Sequence, residues 1–168
     1  MSNTKKLCNL ALGIAVYVVL AASVKVPLVG HIQTDLGYIA FGAYLVIFGW
    51  PAAIIGVLGC IIESAVYSGW FAIGWPLGQL FIGITCGLWY KYTDNKPTAF
   101  KNITRIIVTI VAVFIGVAVI KTVVEATIYS IPYGIKFAKN MIAFVADVIP
   151  MIIGMFIGER LKKSFNFD

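Results

Sequence analysis

Apolar residues run along the chain in long unbroken blocks, and polar residues fall between them in short clusters. Residues 7–24 form the first block and predict a membrane span. The cluster Pro27, Gly30, His31, Gln33, Thr34 and Asp35 follows and predicts a polar loop. Residues 36–68 are nearly all apolar, which is too long for one span of ~20 residues and short for two. Gly49-Trp50-Pro51 supplies a break, because proline lacks the helical N–H donor and biases its predecessor away from helix. The stretch therefore predicts a second span, shorter than a bilayer core, and a third. An aromatic turn at 69–76 places Trp70 and Trp75 where interfacial belts place tryptophan. The fourth span is expected at 76–90. Residues 91–105 are the most polar stretch, with Asp94, Asn95 and Pro97, and predict a loop. A fifth span at 106–128, a turn at Ser130, Pro132, Tyr133 and Gly134, a sixth span at 137–157 and a polar tail complete the pattern. Lys5 and Lys6 before an apolar run resemble the start of a signal peptide, but no small-residue cleavage site leads into a polar chain, so this run is read as the first span. The expectation is a single transmembrane domain over residues 1–168, all-α, a bundle of six spans.

Composition agrees with that pattern. The 168 residues are 61% hydrophobic and 12% charged, and the mean hydropathy is +0.96. A water-soluble domain of this size keeps too large a surface fraction to hide so much apolar area. A membrane β-barrel would alternate apolar and polar residues, and these runs do not. The net charge of +6 does not imply nucleic acid as a partner, because the Lys and Arg sit between apolar runs and form no basic stripe. It does orient the chain. Lys5, Lys6, Lys91, Lys96, Lys101, Arg105, Arg160, Lys162 and Lys163 fall on one side of a six-span layout and Lys25, Lys136 and Lys139 on the other, nine against three. The positive-inside rule then predicts both termini in the cytoplasm. Cys8, Cys60 and Cys86 share no metal-ligand spacing and read as small apolar filler.

Ionisable residues inside a span are costly and mark function by default. Four fall there: Glu63, Lys121, Glu125 and Asp147. In the six-span layout all lie in the outer halves of their helices. Asn140 shares a face with Asp147, seven residues on. Gln79 enters the fourth span from the same side, one turn from Trp75; the outer loops add His31, Gln33, Asp35, Trp70 and Tyr133, and Tyr38 stands at the opening of the second span. Polar groups thus converge at one depth while the inner half looks nearly featureless, as expected of an outward-facing pocket for a small, partly polar ligand. Plainer roles stay open. Lys121 and Glu125 are four apart and could neutralise each other, although Lys-then-Glu is the poorer order. Glu63 could reach interfacial water, His31 could be an ordinary loop residue, and Asn140 and Gln79 could join helices by hydrogen bonds.

Several chemistries are missing from the chain. It has no P-loop, no G-x-S-x-G elbow and no H-E-x-x-H pair, and one histidine cannot build a multi-His metal site. No enzyme activity, no metal and no cofactor is expected. A small autonomous secondary transporter or channel remains the alternative to a binding subunit. It would need a cytoplasmic exit path.

The chain resembles the substrate-binding S component of energy-coupling factor (ECF) transporters. Three local features carry the likeness. Ala11-Leu12-Gly13-Ile14-Ala15 has the A-x-x-x-A form with which such components dock on their coupling subunit. Asp35-Leu36-Gly37-Tyr38-Ile39 is similar to the opening of the second span in the riboflavin/hydroxymethylpyrimidine branch. Gly49-Trp50-Pro51 with Gly56 and Gly59 resembles the start of the third span, and Gln79 stands where relatives often carry Lys. The resemblance implies a protein of a prokaryotic cell membrane that captures a vitamin or cofactor precursor. It implies as partners a transmembrane coupling subunit and two ATPases, with Ala11 and Ala15 at the docking face.

Overall fold

The computed structural model describes residues 3–23, 25–29, 32–68 and 73–165. Helix α1 spans Asn3–Ser23 and runs into a hairpin of strands β1 (Lys25–Val29) and β2 (Ile32–Asp35). Helix α2 covers Gly37–Phe48, a 3-10 turn covers Trp50–Ala52, and α3 covers Ala53–Ser68. Helix α4 is Gly74–Tyr92. Helix α5 (Thr98–Val113) passes through a π-helical stretch, Phe114–Ile120, into α6 (Lys121–Tyr129), and α7 runs from Tyr133 to Phe165. Since α5 and α6 make one rod, the described residues form six helical rods, as the hydrophobic blocks require. Three of them, Thr4–Ser23, Thr98–Tyr129 and Tyr133–Ser164, are long and apolar enough to cross a membrane.

The break expected at 49–51 is present. Gly49 adopts φ +69°, a conformation that favours glycine, and its N–H still closes on the Leu45 carbonyl at 2.9 Å. Helix α2 is consequently only 12 residues, about 18 Å at the helical rise and well short of a ~30 Å core. It is buried instead: Tyr38, Phe41 and Leu45 are inaccessible. Its main partner is α7, and the two touch backbone to backbone. A Cβ on Gly42 would strike the Met151 carbonyl, one on Gly154 the Ile39 carbonyl, and one on Gly158 would come 2.5 Å from the Ala43 carbonyl. Small residues at helix crossings give the close van der Waals packing that holds helices together in lipid.

The outside of the bundle is apolar. Leu12, Val19, Leu58, Leu88, Ile107, Val145 and Ile149 are all exposed, as suits a lipid-facing surface.

Three boundaries differ from the hydropathy reading. Residues 98–105 are helix, not loop. Lys101 and Arg105 lie one turn apart on an inward face, while Phe100, Ile103 and Ile107 point outward. The polar stripe faces protein and the apolar stripe faces lipid, so polarity did not mean solvent. The expected polar tail continues α7 to Phe165. Part of the polar loop before α2 is an antiparallel hairpin, with Lys25 paired to Asp35 and Val26 to Thr34.

Asn9 and Leu12 of α1, Phe48 of α2 and Leu161 of α7 line one groove. The N-terminal half of α1 and the C-terminal end of α7 therefore share one end of the bundle, called here the termini end; the hairpin caps the other. Gly154→Val is expected to force α7 away from α2 and to destabilise the purified protein by on the order of 3 kcal/mol, read as a lower thermal midpoint in detergent. An unchanged midpoint would mean that the α2–α7 contact does not hold the fold.

Candidate functional site

At the hairpin end the rods bring buried polar side chains together. Asp35, the last residue of β2, accepts the Tyr17 hydroxyl at 2.9 Å and the Gly37 N–H at 2.8 Å. It thereby ties α1, the hairpin and the first turn of α2. A Cβ on Gly37 would lie 2.8 Å from the Asp35 carboxylate and 2.9 Å from the Tyr17 ring, so the turn has room only for glycine. Tyr38 is buried next to it, with Gln79 of α4 and Asp147 of α7 as neighbours of its hydroxyl. No hydrogen bond of normal geometry closes there. Among the described residues the buried Tyr38 hydroxyl, both polar atoms of the Gln79 amide and Oδ2 of Asp147 have no partner at normal hydrogen-bond geometry.

The cations of the site are anchored. The Lys121 ammonium sits 3.4 Å from the centre of the Trp75 ring, a cation–π contact made strong by burial. Glu125 pairs with Lys136 at 2.9 Å across the turn between α6 and α7. Asn140 donates to the Thr122 hydroxyl at 2.9 Å. Lys121 and Glu125 remain electrostatic neighbours, as their spacing suggests, but each also has its own direct contact, and Asn140 joins α6 to α7. Gly74 lets the start of α4 approach α6: a Cβ there would lie 3.1 Å from Glu125 Cγ and 3.2 Å from the Lys121 carbonyl.

Of the expected site residues, Gln79, Lys121, Glu125, Asn140 and Asp147 are buried here, and Asp35, Tyr38 and Trp75 join them. Glu63 is half-buried near the end of α3, in the surroundings of Cys60, as Asp35 is. His31 and Trp70 lie outside the described residues. Tyr17, Thr122 and Lys136 were missed by the sequence reading. Thr122 carries no charge and Tyr17 sits mid-span, while Lys136 was placed in a loop.

A family model for the ECF-type riboflavin transporter S component matches residues 1–164. The chain belongs to this family. A UPF0397 protein of Lactobacillus acidophilus is 27% identical over 98% of this chain and 92% of its own length. A UPF0397 protein of Streptococcus thermophilus is 22% identical over 85% of this chain and 81% of its own. Among solved structures, the S component for biotin of an ECF-type ABC transporter superposes with a TM-score of 0.69, covering 97% of this chain and 95% of that one at 16% identity. The fold is therefore the S-component fold. As a member of an S-component family the protein is membrane-embedded, a substrate-binding subunit of an ECF transporter and not an enzyme.

The termini end of this S component is not featureless, which corrects the expectation from hydropathy. Arg105 is completely buried there. Its Nε donates to the Thr93 hydroxyl at 2.8 Å, and one terminal nitrogen reaches Asp94 at 3.1 Å and the Tyr90 carbonyl; the other binds Glu159. Its guanidinium also lies 5.2 Å from the centre of the Tyr90 ring. Lys101 completes Glu159 at 2.9 Å, and Lys162 completes Asp94. Burial pushes the Asp94 carboxyl up, but Lys162 and Arg105 outweigh it and hold it below the usual carboxylate range. That contribution to stability is present above the ordinary carboxylate value and is lost as pH falls through the lowered one. The cluster joins the end of α4, the start of α5 and the end of α7. Arg105→Met leaves Glu159 with Lys101 alone and Asp94 with Lys162 alone and removes the buried cation that joins them; breaking a buried pair outright costs about 3–5 kcal/mol, which is the upper bound here. Thermal unfolding in detergent is expected to show a larger loss for Arg105→Met than for Lys101→Met; equal small losses would make the cluster incidental.

Proposed function

We propose that the protein captures a vitamin or related micronutrient at the hairpin end and delivers it by docking on a transmembrane coupling subunit with two ATPases. The observation that carries this reading is the set of unpaired polar atoms on Tyr38, Gln79 and Asp147, buried between α2, α4 and α7. Buried polar groups are ordinarily satisfied, and a bound solute is what would satisfy these. Family membership supplies the transport context. In this reading the chain is multi-pass in a prokaryotic cell membrane, with the cation-rich termini end in the cytoplasm and the hairpin end outside. An autonomous pore is disfavoured because the termini end is closed by the paired Arg105 cluster. Riboflavin, the vitamin of the family's name, and biotin, bound by the structural neighbour, are the first probes.

Binding is expected of the purified chain alone, with no flux in liposomes that lack the coupling module. A charged group removed from a buried contact costs a few kcal/mol. Asp147→Asn and Glu125→Gln are therefore each expected to weaken binding by roughly tenfold or more without unfolding the protein. Unchanged affinity in both would leave these groups as structural pairs.

Docking is assigned to α1. Ala11 and Ala15 are exposed on it, one turn apart, whereas Gly13, Tyr17 and Ala21 are buried against the bundle. Small residues at that spacing admit a second helix closely. Ala11→Trp combined with Ala15→Trp is expected to leave ligand affinity of the isolated protein unchanged and to abolish uptake in cells that contain the coupling subunit and ATPases. Normal uptake by the double variant would remove α1 from the docking face.

A further inference from the structure

Helices α1 and α7 both pack on α2 and make little contact with each other. A groove therefore runs between them over the last turns of α2, at the termini end of the bundle. Leu12 of α1 and Leu161 of α7 line its sides, and the stacked rings of Tyr44 and Phe48 line it from α2. Both leucines are exposed, so the groove is open to whatever surrounds the bundle. Its volume is about 180 Å³, below the roughly 300–1,000 Å³ of a pocket that encloses a small molecule. The only polar side-chain groups in the lining are the Asn9 amide and the Tyr44 hydroxyl. In a membrane-embedded protein an open apolar groove of this size takes a stretch of acyl chain. The chain alone gives no selectivity, because lipid tails are as apolar as the leucines they touch. Selectivity has to come from the headgroup.

The mouth of the groove is cationic. Lys5 lies one turn before Asn9 on the same face of α1, toward the helix end, and Arg160 adjoins Leu161 on α7. Both are exposed. Neither α1 nor α2 contains an acidic residue. The carboxylates described at this end, Asp94 and Glu159, are held by Arg105, Lys101 and Lys162. An apolar groove with basic residues at its mouth is complementary to a lipid whose headgroup is negative. The guanidinium fork of Arg160 suits a phosphate in particular. A zwitterionic headgroup brings its own cation to Lys5 and Arg160 and loses part of that attraction.

We propose that this groove binds one anionic phospholipid from the leaflet at the termini end, with an acyl chain between Leu12 and Leu161 and the phosphate on Lys5 and Arg160. The assignment does not depend on the hairpin-end cluster or on which vitamin is carried. The competing accounts are a non-selective shell of lipid and a helix of another subunit laid over the groove.

Native mass spectrometry of the full chain, purified in detergent and stripped of lipid, decides between them. The probes are phosphatidylglycerol and phosphatidylcholine with the same palmitoyl and oleoyl chains. The first phosphatidylglycerol is expected to bind roughly tenfold more tightly than phosphatidylcholine. Lys5→Gln combined with Arg160→Gln is expected to bring the two within about twofold, and Lys5→Arg combined with Arg160→Lys to keep the preference. Lys91→Gln combined with Lys96→Gln removes as much charge from the same end, away from the groove, and is expected to keep it too. Leu12→Trp fills the groove and is expected to weaken the first binding event for both lipids. Equal binding of the two lipids by the unaltered protein would overturn the proposal, as would a preference that survives the Lys5 and Arg160 changes. A preference lost equally with Lys91 and Lys96 would reduce it to net charge and overturn it as well. If the protein shows no selective lipid but Leu12→Trp abolishes uptake through the coupling module, the groove belongs to a partner helix and the lipid assignment falls.

Discussion

Helices α2 and α7 meet at glycines 42, 154 and 158, where each backbone occupies space that a side chain would otherwise take. In lipid there is no hydrophobic drive to bring helices together, so close packing of this kind has to supply the attraction. The contact explains how a helix too short to cross a bilayer survives at the centre of the bundle. It also fixes the site. Once α2 is seated on α7, its first turn and the hairpin that leads into it are held beside the middle of α7. Tyr38 and Asp35 then become neighbours of Asp147, which is far from them in sequence. Helix α4 completes the arrangement through its own close approaches, Gly78 against the Gly116 carbonyl and Gly83 against Ala53. The first of these meets the π-helical stretch between α5 and α6, whose end delivers Lys121 toward Trp75.

The two ends of the bundle treat buried polarity in opposite ways. At the termini end Arg105 uses Nε and both terminal nitrogens, and the two carboxylates it meets are completed by Lys101 and Lys162. Such a cluster balances its desolvation cost only because its geometry leaves little unmet, and its loss is felt as instability. At the hairpin end the charged groups Lys121 and Glu125 are anchored, while neutral Tyr38 and Gln79 and one oxygen of Asp147 are not. A protein that closes one cluster so fully has no general shortage of partners. On the proposed reading, a bound solute would complete the open atoms.

Much of this was legible in the sequence because hydrophobic continuity and glycine–proline punctuation act locally. The break at Gly49-Trp50-Pro51, the number of rods and the convergence of Gln79, Lys121, Glu125, Asn140 and Asp147 all follow from spacing and span depth. The misses at the termini end share one cause. Lys101, Arg105 and Glu159 fall in the predicted loop and tail because polar residues ordinarily mark solvent, yet a rod with an apolar outer face turns its polar stripe inward. The Lys136–Glu125 pair and the hairpin depend on which segments the fold brings together, and neither has a local signal. The same holds for the surroundings of Gln79: the residue type is visible in the chain, but only the packed neighbours reveal that no described residue meets its amide at normal hydrogen-bond geometry.

Helix α1 connects recognition to the proposed delivery. Gly13, Tyr17 and Ala21 recur at intervals of four and form its buried face. A Cβ on Gly13 would lie 2.5 Å from Ile55 and 2.8 Å from Tyr44, so this face is already filled by α2 and α3. Ala11 and Ala15 are each two positions from Gly13, about 200° around the helix, and so point away from the bundle. Tyr17 on the buried face holds Asp35, and through it the hairpin and the start of α2. One helix thus presents a face that holds the hairpin end and, nearly opposite, an exposed face that carries Ala11 and Ala15. Bulk added to the outer face need not disturb the inner one. A shift of α1 as a rigid body would, however, pull on Asp35 directly. If α1 is the docking face, as proposed, docking has a short mechanical route to the proposed binding site, through Tyr17, that does not pass through the glycine-packed core of α2 and α7.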